Sequence, residues 1–529
     1  MSVSVPAADA FHSHSSDGPS RSAAATTTTT TRTKGSDNNK AQLPTLSQEV
    51  YLFTSLAGPT ILISIGFVVP SFCTAAYIGR HFGTIPLDAY TLANLTGNLC
   101  CLSLLAGLYS AADTLCPQAY GAGNFRQVGL VAMQALVTSW LILIPTNILL
   151  CTTLGPLLQA LGQDAVVADL AWQFYNVYVW SLPFYAVWCV VWKFLSAQHA
   201  LQPLVIVTLL ASTVVLPISL EILGNLAGIL GAAAALVVFQ LFQVTAVLTW
   251  IALWPPHNPA TWPKEGYAWH DIFASPAYAQ FLRLGCGGML ASLEWIYWEA
   301  ISLVVGLLGV VPLSVHTIPT QVIYVVFMFP LGMGVAISNR IGVTLSHSVA
   351  RAKTLTVAIL VVSSVGFGIF TWLLFVNQEF IFALFTNDPD VLAGCAAVWP
   401  LVCLYFWVLN LFGINTGIAT GLGMQMTLGM WTLLFLWCLG LPASYYFAIC
   451  QDQGLKAVWT WIIPPYVLID VTMLILFYFQ DWEEIATLVR IREGLQKQVD
   501  CQDETLESLH LMESFKHGDT TTTYGSTNA

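Results

Sequence analysis

Between Leu52 and Phe479 one apolar stretch follows another, each long enough to be a membrane-spanning helix. A bilayer core about 30 Å thick calls for about 20 apolar residues per helix. Twelve windows meet that requirement: 52–77, 87–112, 128–151, 168–195, 202–222, 228–254, 284–309, 313–336, 354–376, 392–416, 426–449 and 455–479. Only 9% of the residues are charged and 56% are hydrophobic, against roughly a quarter charged in an ordinary soluble domain. No soluble fold hides that much apolar surface. The expected fold is therefore an all-α polytopic membrane protein.

An even number of spans puts both tails on one side, and the basic residues test that arrangement. Of the 17 Lys and Arg, only Arg80 and Lys456 fall on the side opposite the tails. The tail side holds the rest, including Arg126, Lys193, Lys264, Arg283, Arg340, Arg351 and Lys353. Both termini are expected in the cytosol. Residues 1–48, with their threonine run from Thr26 to Thr31, and the tail after about Glu493 are expected to be disordered. The first segment lacks an apolar core, so no cleavable signal peptide is expected. Much of the net charge of -11 sits in the carboxy-terminal tail, a solvated segment rather than a binding groove. No basic patch points to nucleic acid. The 12 cysteines form no C-x-x-C pair, and no metal site or disulfide framework is expected.

The connection from Trp254 to about Arg283 is long, carries Pro255, Pro256, Pro259 and Pro263, and splits the spans evenly. One constant shift lays Gly83, Pro86, Leu87 and Thr91 on Gly309, Pro312, Leu313 and Thr317. With one residue of slippage, Gly107, Ala111 and Arg126 fall on Gly332, Ala336 and Arg351. Six spans per half keep both halves in one orientation, a parallel repeat with a substrate site expected between them. The reading is an N-lobe at 49–254, a cytosolic linker at 255–283, a C-lobe at 284–480 and a cytosolic tail at 481–529.

Five stretches carry a family resemblance. Asp113-Thr-Leu-Cys-Pro-Gln118-Ala-Tyr-Gly121 resembles the loop after the second helix of the multidrug and toxic compound extrusion family. Leu293-Glu294-Trp-Ile-Tyr297-Trp298-Glu299 is similar to its seventh helix, and Pro330 to Gly342, with Arg340, to the end of its eighth. Gly417-Ile-Ala-Thr-Gly421 resembles its tenth-to-eleventh loop, and Asp481-Trp482 the pair that closes the last helix in many eukaryotic members. The resemblance covers about residues 45 to 485. It implies two six-helix lobes in a pseudo-twofold repeat around a central cavity, alternating access, and export of cationic or amphiphilic compounds driven by proton or sodium entry.

Ionisable residues inside a span cost about 2.5 to 3.5 kcal/mol on insertion scales and are functional candidates. Glu294, Glu299 and Asp470 lie within spans, while Asp113 and Glu221 lie near span ends. On an ideal helix Tyr297 and Trp298 share a face with Glu294, so a carboxylate and aromatic rings can hold an organic cation together. By taking a proton the same carboxylate would release that cation; the competing reading is a structural carboxylate bonded to a neighbouring helix. Glu299 sits roughly 140° around a straight helix from Glu294, so both acids are not expected on one narrow cavity. The resemblance marks both as functional in eukaryotic relatives. Relatives carry further acids at the positions of Gln321 and, on the tenth helix, about Leu409 beside Asn410. Gln321 and Asn410 are expected to hydrogen-bond substrate, and Asp470 either compensates for the missing acid or ties two helices. Asp113 is expected to bond backbone groups or Arg126. His316 reads as a local hydrogen-bond partner or a titrating group, and Pro70 as a bend in the first helix.

No P-loop or nucleophile elbow is present. The leading expectation is a secondary antiporter rather than an enzyme, without cofactor beyond the coupling ion. Its partners would be a small organic substrate and the lipid bilayer; it would use no ATP and act as a monomer in a plasma or vacuole-like membrane. A lipid-linked precursor flippase of the same superfamily would want a cationic cavity. An intramembrane acyltransferase would want clustered His and acids near one membrane face.

Overall fold

The computed structural model describes residues 46–494 apart from 264, 265, 274, 384, 386 and 387. The remainder of both tails, with Arg21, Arg32, Lys34, Lys40, Lys497 and Lys516, and the linker residue Lys264 lie outside the described residues.

Among the described residues eleven helices are long and apolar enough to cross a bilayer. They are α1 (Leu46–His81), α2 (Thr84–Gly121), α3 (Phe125–Ala160), α4 (Ala165–Ala197), α5 (Gln202–Leu253) and α6 (Pro276–Gly306), followed by α7 (Val310–Leu345), α8 (Val349–Val376), α9 (Pro389–Leu422), α10 (Gln425–Cys450) and α11 (Gly454–Phe479). A short α12 (Trp482–Arg492) follows. The apparent loss of a span is a fusion. Within the 52 residues of α5, Ala227 and Gly228 leave helical geometry, Gly228 at a φ of 61° and ψ of -136°. The chain reverses there so tightly that a Cβ on Gly231 would run into the Leu223 carbonyl. Two of the expected windows meet at that glycine, and the count of twelve spans stands.

Boundaries moved where polar residues enter helices. α6 begins at Pro276 rather than 284, and Arg283 lies in the helix rather than in the linker. α1 begins at Leu46 and runs through Pro59 and Pro70. Asp481 caps α12, its Oδ1 accepting from the backbone N–H of Glu483 at 2.9 Å and Glu484 at 3.2 Å. Trp482 Nε1 donates to the Phe477 carbonyl at 2.9 Å, so the Asp-Trp pair ends α11 and starts α12 at once.

The packing repeats as the sequence does. Between the halves, α1 packs on α7 and α2 on α6, an exchange of equivalent spans. Within each half the second and fourth spans pair, α2 with α4 and α7 with α9. Gly83 and Gly309, superposed by the sequence shift, take the same unusual conformation, φ 87° and ψ -166° against φ 107° and ψ -177°. Each precedes its half's second span, where a side chain would be strained. Gly107 and Gly332 are also twins: a Cβ on Gly107 would run into the Met289 backbone of α6, and one on Gly332 would sit 2.7 Å from Ile61 Cα of α1. Small residues thus let the halves approach at matching points.

Candidate functional site

Three of the motifs read from the sequence come together where the halves meet, on the face that carries α12. Gly342 of α7 lies against Pro117, and a Cβ there would sit 2.7 Å from the Pro117 Cβ. Gly121 faces the Val343 backbone, and Gly421 faces Ile341. Gln118 Nε2 donates to the Gly421 carbonyl at 2.9 Å, while its Oε1 accepts from Arg492 Nη2 of α12 at 2.8 Å. Thr114 Oγ1 donates to the Thr420 carbonyl at 2.6 Å. Buried Arg340 pairs with buried Glu49 of α1 at 2.5 Å and also meets His199 Nε2 at 3.1 Å. This face is held shut by hydrogen bonds and an ion pair running from one half to the other.

Away from that face the halves part around a cavity with two chambers. The outer chamber has a volume of about 510 Å³, within the range of small-molecule sites. The inner one, toward the closed face, is about 190 Å³. Phe67, Tyr185, Trp192, Glu294, Trp295 and Phe327 border both.

Glu294 is the acid common to the two chambers. It lies just past Ser292, where α6 breaks, and is only 4% exposed. Tyr466 of α11 donates its hydroxyl to Glu294 Oε1 at 2.7 Å, and Trp298 Nε1 donates to the Tyr466 oxygen at 3.0 Å. Rings of Trp298, Tyr405, Tyr466 and Trp459 pack behind it, edge to face except for the tilted Trp298–Trp459 pair, with centroids 5.2 to 6.5 Å apart. Among the described residues no Lys, Arg or His forms a salt bridge with Glu294.

The structure divides the other expected site residues. Glu299 and Gln321 both line the outer chamber with Glu294 and Trp298. The two acids were not expected on one narrow cavity; the outer chamber is broad and takes in both sides of α6, so it holds Glu294 and Glu299 together. Tyr297 is fully buried and lines neither chamber; Trp295, which the sequence reading passed over, faces both. Asn410 is fully buried and away from the cavity, while its neighbour Leu409 lines it. Asp470 also lies off the cavity, accepting from Asn415 Nδ2 at 2.9 Å across α9 and α11. His316 lines the outer chamber against Trp459, at a centroid distance of 5.3 Å, and neither ring nitrogen has a hydrogen-bond partner among the described residues.

Asp113 is neither near a span end nor bonded to Arg126. It is buried well inside α2 and pairs with Lys193 of α4 at 2.7 Å, both side chains 10% exposed. Arg126 instead meets Asp271 at 3.0 Å on the surface. Lys193, counted from the sequence among the loop charges, lines the inner chamber. A lysine flanked by Trp192 and Phe194 in an apolar window was the available signal.

Two helical halves related by a repeat, closed on one face and parted around a cavity that holds a buried acid, define a membrane transporter. The MatE family profile matches residues 59–221 and 289–446, once in each half. The chain belongs to that family of transporters. It is 28% identical to multidrug and toxin extrusion protein 1 of Mus musculus over 424 residues, covering 80% of this chain and 73% of the relative. It is 25% identical to the uncharacterized transporter C323.07c of Schizosaccharomyces pombe over 460 residues, covering 86% and 85%. Its fold matches the crystal structure of the eukaryotic MATE transporter AtDTX14 with a TM-score of 0.77 at 22% identity, over 85% of this chain and 99% of that one. The bent form of the Vibrio cholerae MATE transporter VcmN matches with a TM-score of 0.72 at 15% identity, over 84% and 99%. These relatives and neighbours are transporters, and the chain is one rather than an enzyme.

Proposed function

We propose that the protein is a secondary antiporter that exports organic cations in exchange for protons, with Glu294 as the group over which the two compete. The observation that carries this reading is the placement of Glu294. It faces both chambers, is held by Tyr466, has no basic partner among the described residues, and stands among aromatic rings that attract a desolvated cation. Cargo would dock on the carboxylate once the inner face has opened; a proton arriving from the outer face would displace it after that face has closed again. Glu299, Gln321 and Trp298 would grip the cargo in the outer chamber. The basic residues of the loops favour a cytosolic position for both termini, so that the closed face is the cytosolic one. The single lysine of the inner chamber is matched by Asp113, which argues against a cavity made for lipid-linked phosphates.

In proteoliposomes an imposed proton gradient should drive uptake of a fluorescent organic cation, and Glu294→Gln should abolish it. Undiminished transport by that variant removes Glu294 from the mechanism; flux driven by sodium alone removes the proton.

A further inference from the structure

The inner chamber contains polar groups that the exchange at Glu294 leaves unused. Lys193 Nζ bonds Asp113 Oδ2 and stands 4.4 Å from the centroid of the Trp192 ring; that engages one of the three N–H donors of an ammonium. Trp192 Nε1 is buried and has no hydrogen-bond partner among the described residues. On the facing helices, Asp113 Oδ1 and Gln425 Oε1 are likewise buried acceptors without a partner among the described residues. All four residues line the same chamber as Glu294. Gln425 is held in place, its Nε2 donating to Ser110 O at 3.2 Å and to Thr114 Oγ1. Buried polar groups left unpaired are costly, and here unpaired donors and unpaired acceptors sit together around an ion pair of no net charge.

We propose that the inner chamber is a subsite for a primary carboxamide, or the like-shaped urea group, carried by a cationic cargo whose ammonium sits at Glu294. The amide oxygen accepts from Lys193 Nζ and Trp192 Nε1, and its NH2 donates to Asp113 Oδ1 and Gln425 Oε1. A carboxylate meets the same two donors but has nothing to give the acceptors and is repelled by Asp113. A plain alkyl group leaves all four unpaired. The inference rests on the assignment of Glu294 to the cargo cation and adds the group that the rest of the cargo must carry.

Binding to the purified full-length protein tests it by calorimetry, with a series of triethylammonio-alkanamides having one to four methylenes between nitrogen and amide. Each is compared with the alkyl ammonium and the carboxylate of equal length. The expected result is that the best amide binds at least about tenfold more tightly than its alkyl counterpart. That ratio falls about threefold or more in the Asp113→Leu/Lys193→Met pair, which keeps Trp192 and Gln425 and removes both charges together so that neither is left uncompensated. In Trp192→Phe, which deletes one donor and serves if the double variant does not fold, the ratio falls about threefold or more. Equal binding of amide and alkyl compounds, preference for the carboxylate, or a ratio unchanged in these variants overturns the proposal. Its failure is separable from that of the exchange reading: absence of any alkyl ammonium binding, or its survival in Glu294→Gln, tells against the Glu294 assignment. Alkyl binding that depends on Glu294 with no gain from the amide tells against the subsite alone.

Discussion

The Tyr466 hydroxyl reaches across from α11 to Glu294 Oε1 at 2.7 Å, and so ties the orientation of the cavity acid to the helix behind it. A hydrogen bond to a charged group is worth about 1.5 to 3 kcal/mol. Tyr466→Phe keeps the ring packing against Tyr405 and Phe412 and removes the hydroxyl, which is both the donor to Glu294 and the acceptor for Trp298 Nε1. We expect apparent affinity for a cationic cargo to fall about tenfold. Tyr297→Phe, on the same helix as Glu294 but off the cavity, should change it less than about twofold. Equal effects of the two substitutions on transport kinetics would count against the Tyr466 contact as a cargo-site feature.

Glu49 and Arg340 join the two halves at the closed face, side chains 1% and 6% exposed. Breaking a buried pair by neutralising one partner costs about 3 to 5 kcal/mol. That cost falls on the closed state alone, because parting of the halves separates the residues and hydrates both. Glu49→Gln should therefore shift the protein toward opening on the α12 face. Hydrogen exchange at 114–121 and 338–345 should rise. Arg492→Ala, which frees Gln118 from α12, should do the same more weakly, by about 1 to 2 kcal/mol. Exchange unchanged in both variants would mean that these bonds do not hold the face shut.

How much of this was legible in the residues follows from the range of each interaction. Span positions and the duplication depend on apolar length and on glycines such as Gly83 and Gly309, which are properties of local sequence. Glu294 could be singled out because a carboxylate in an apolar window is conspicuous whatever surrounds it. Partners were not legible. Asp113 was expected to bond nearby backbone groups or Arg126, thirteen positions on, while the partner, Lys193, is brought in by the packing of α2 against α4. Tyr297 was put on the cavity from the period of a straight helix; Glu294 and Trp298 of that face do line it, while Tyr297 is covered by Trp437 of α10 and Tyr466 of α11. The reversal at Gly228 hid one span from a count of helices without changing the topology.

The repeat makes a prediction about glycines that meet the opposite half. Gly107 and Gly332 are equivalent positions, each facing backbone of the other half's first span. An added methyl has no space there, and relief requires the helices to part; overpacking of this kind costs about 1 to 3 kcal/mol. Gly107→Ala and Gly332→Ala should lower the thermal midpoint by similar amounts. Gly58→Ala and Gly306→Ala, where nothing lies within 4 Å of the added carbon, should be neutral or slightly stabilising. A large difference between the twin variants would show that the two crossings do not carry equal load.

Asp470 gives the last prediction, since its chemistry and its position point in different directions. An acid in a span suggests ion coupling, yet Asp470 is buried behind the cavity wall and its Oδ1 is occupied by Asn415 Nδ2 at 2.9 Å. Asp470→Asn preserves the shape and an acceptor oxygen for Asn415, and removes a carboxyl whose Oδ2 has no hydrogen-bond partner. If the pair is a tie between α9 and α11, that variant stays folded and keeps most of its transport, with an unchanged number of protons per cargo. Asp470→Leu, which leaves Asn415 unpaired in a buried site, should lose about 1 to 3 kcal/mol of stability. A change in proton stoichiometry in Asp470→Asn, measured from the reversal potential of transport in liposomes, would place Asp470 in the coupling pathway instead.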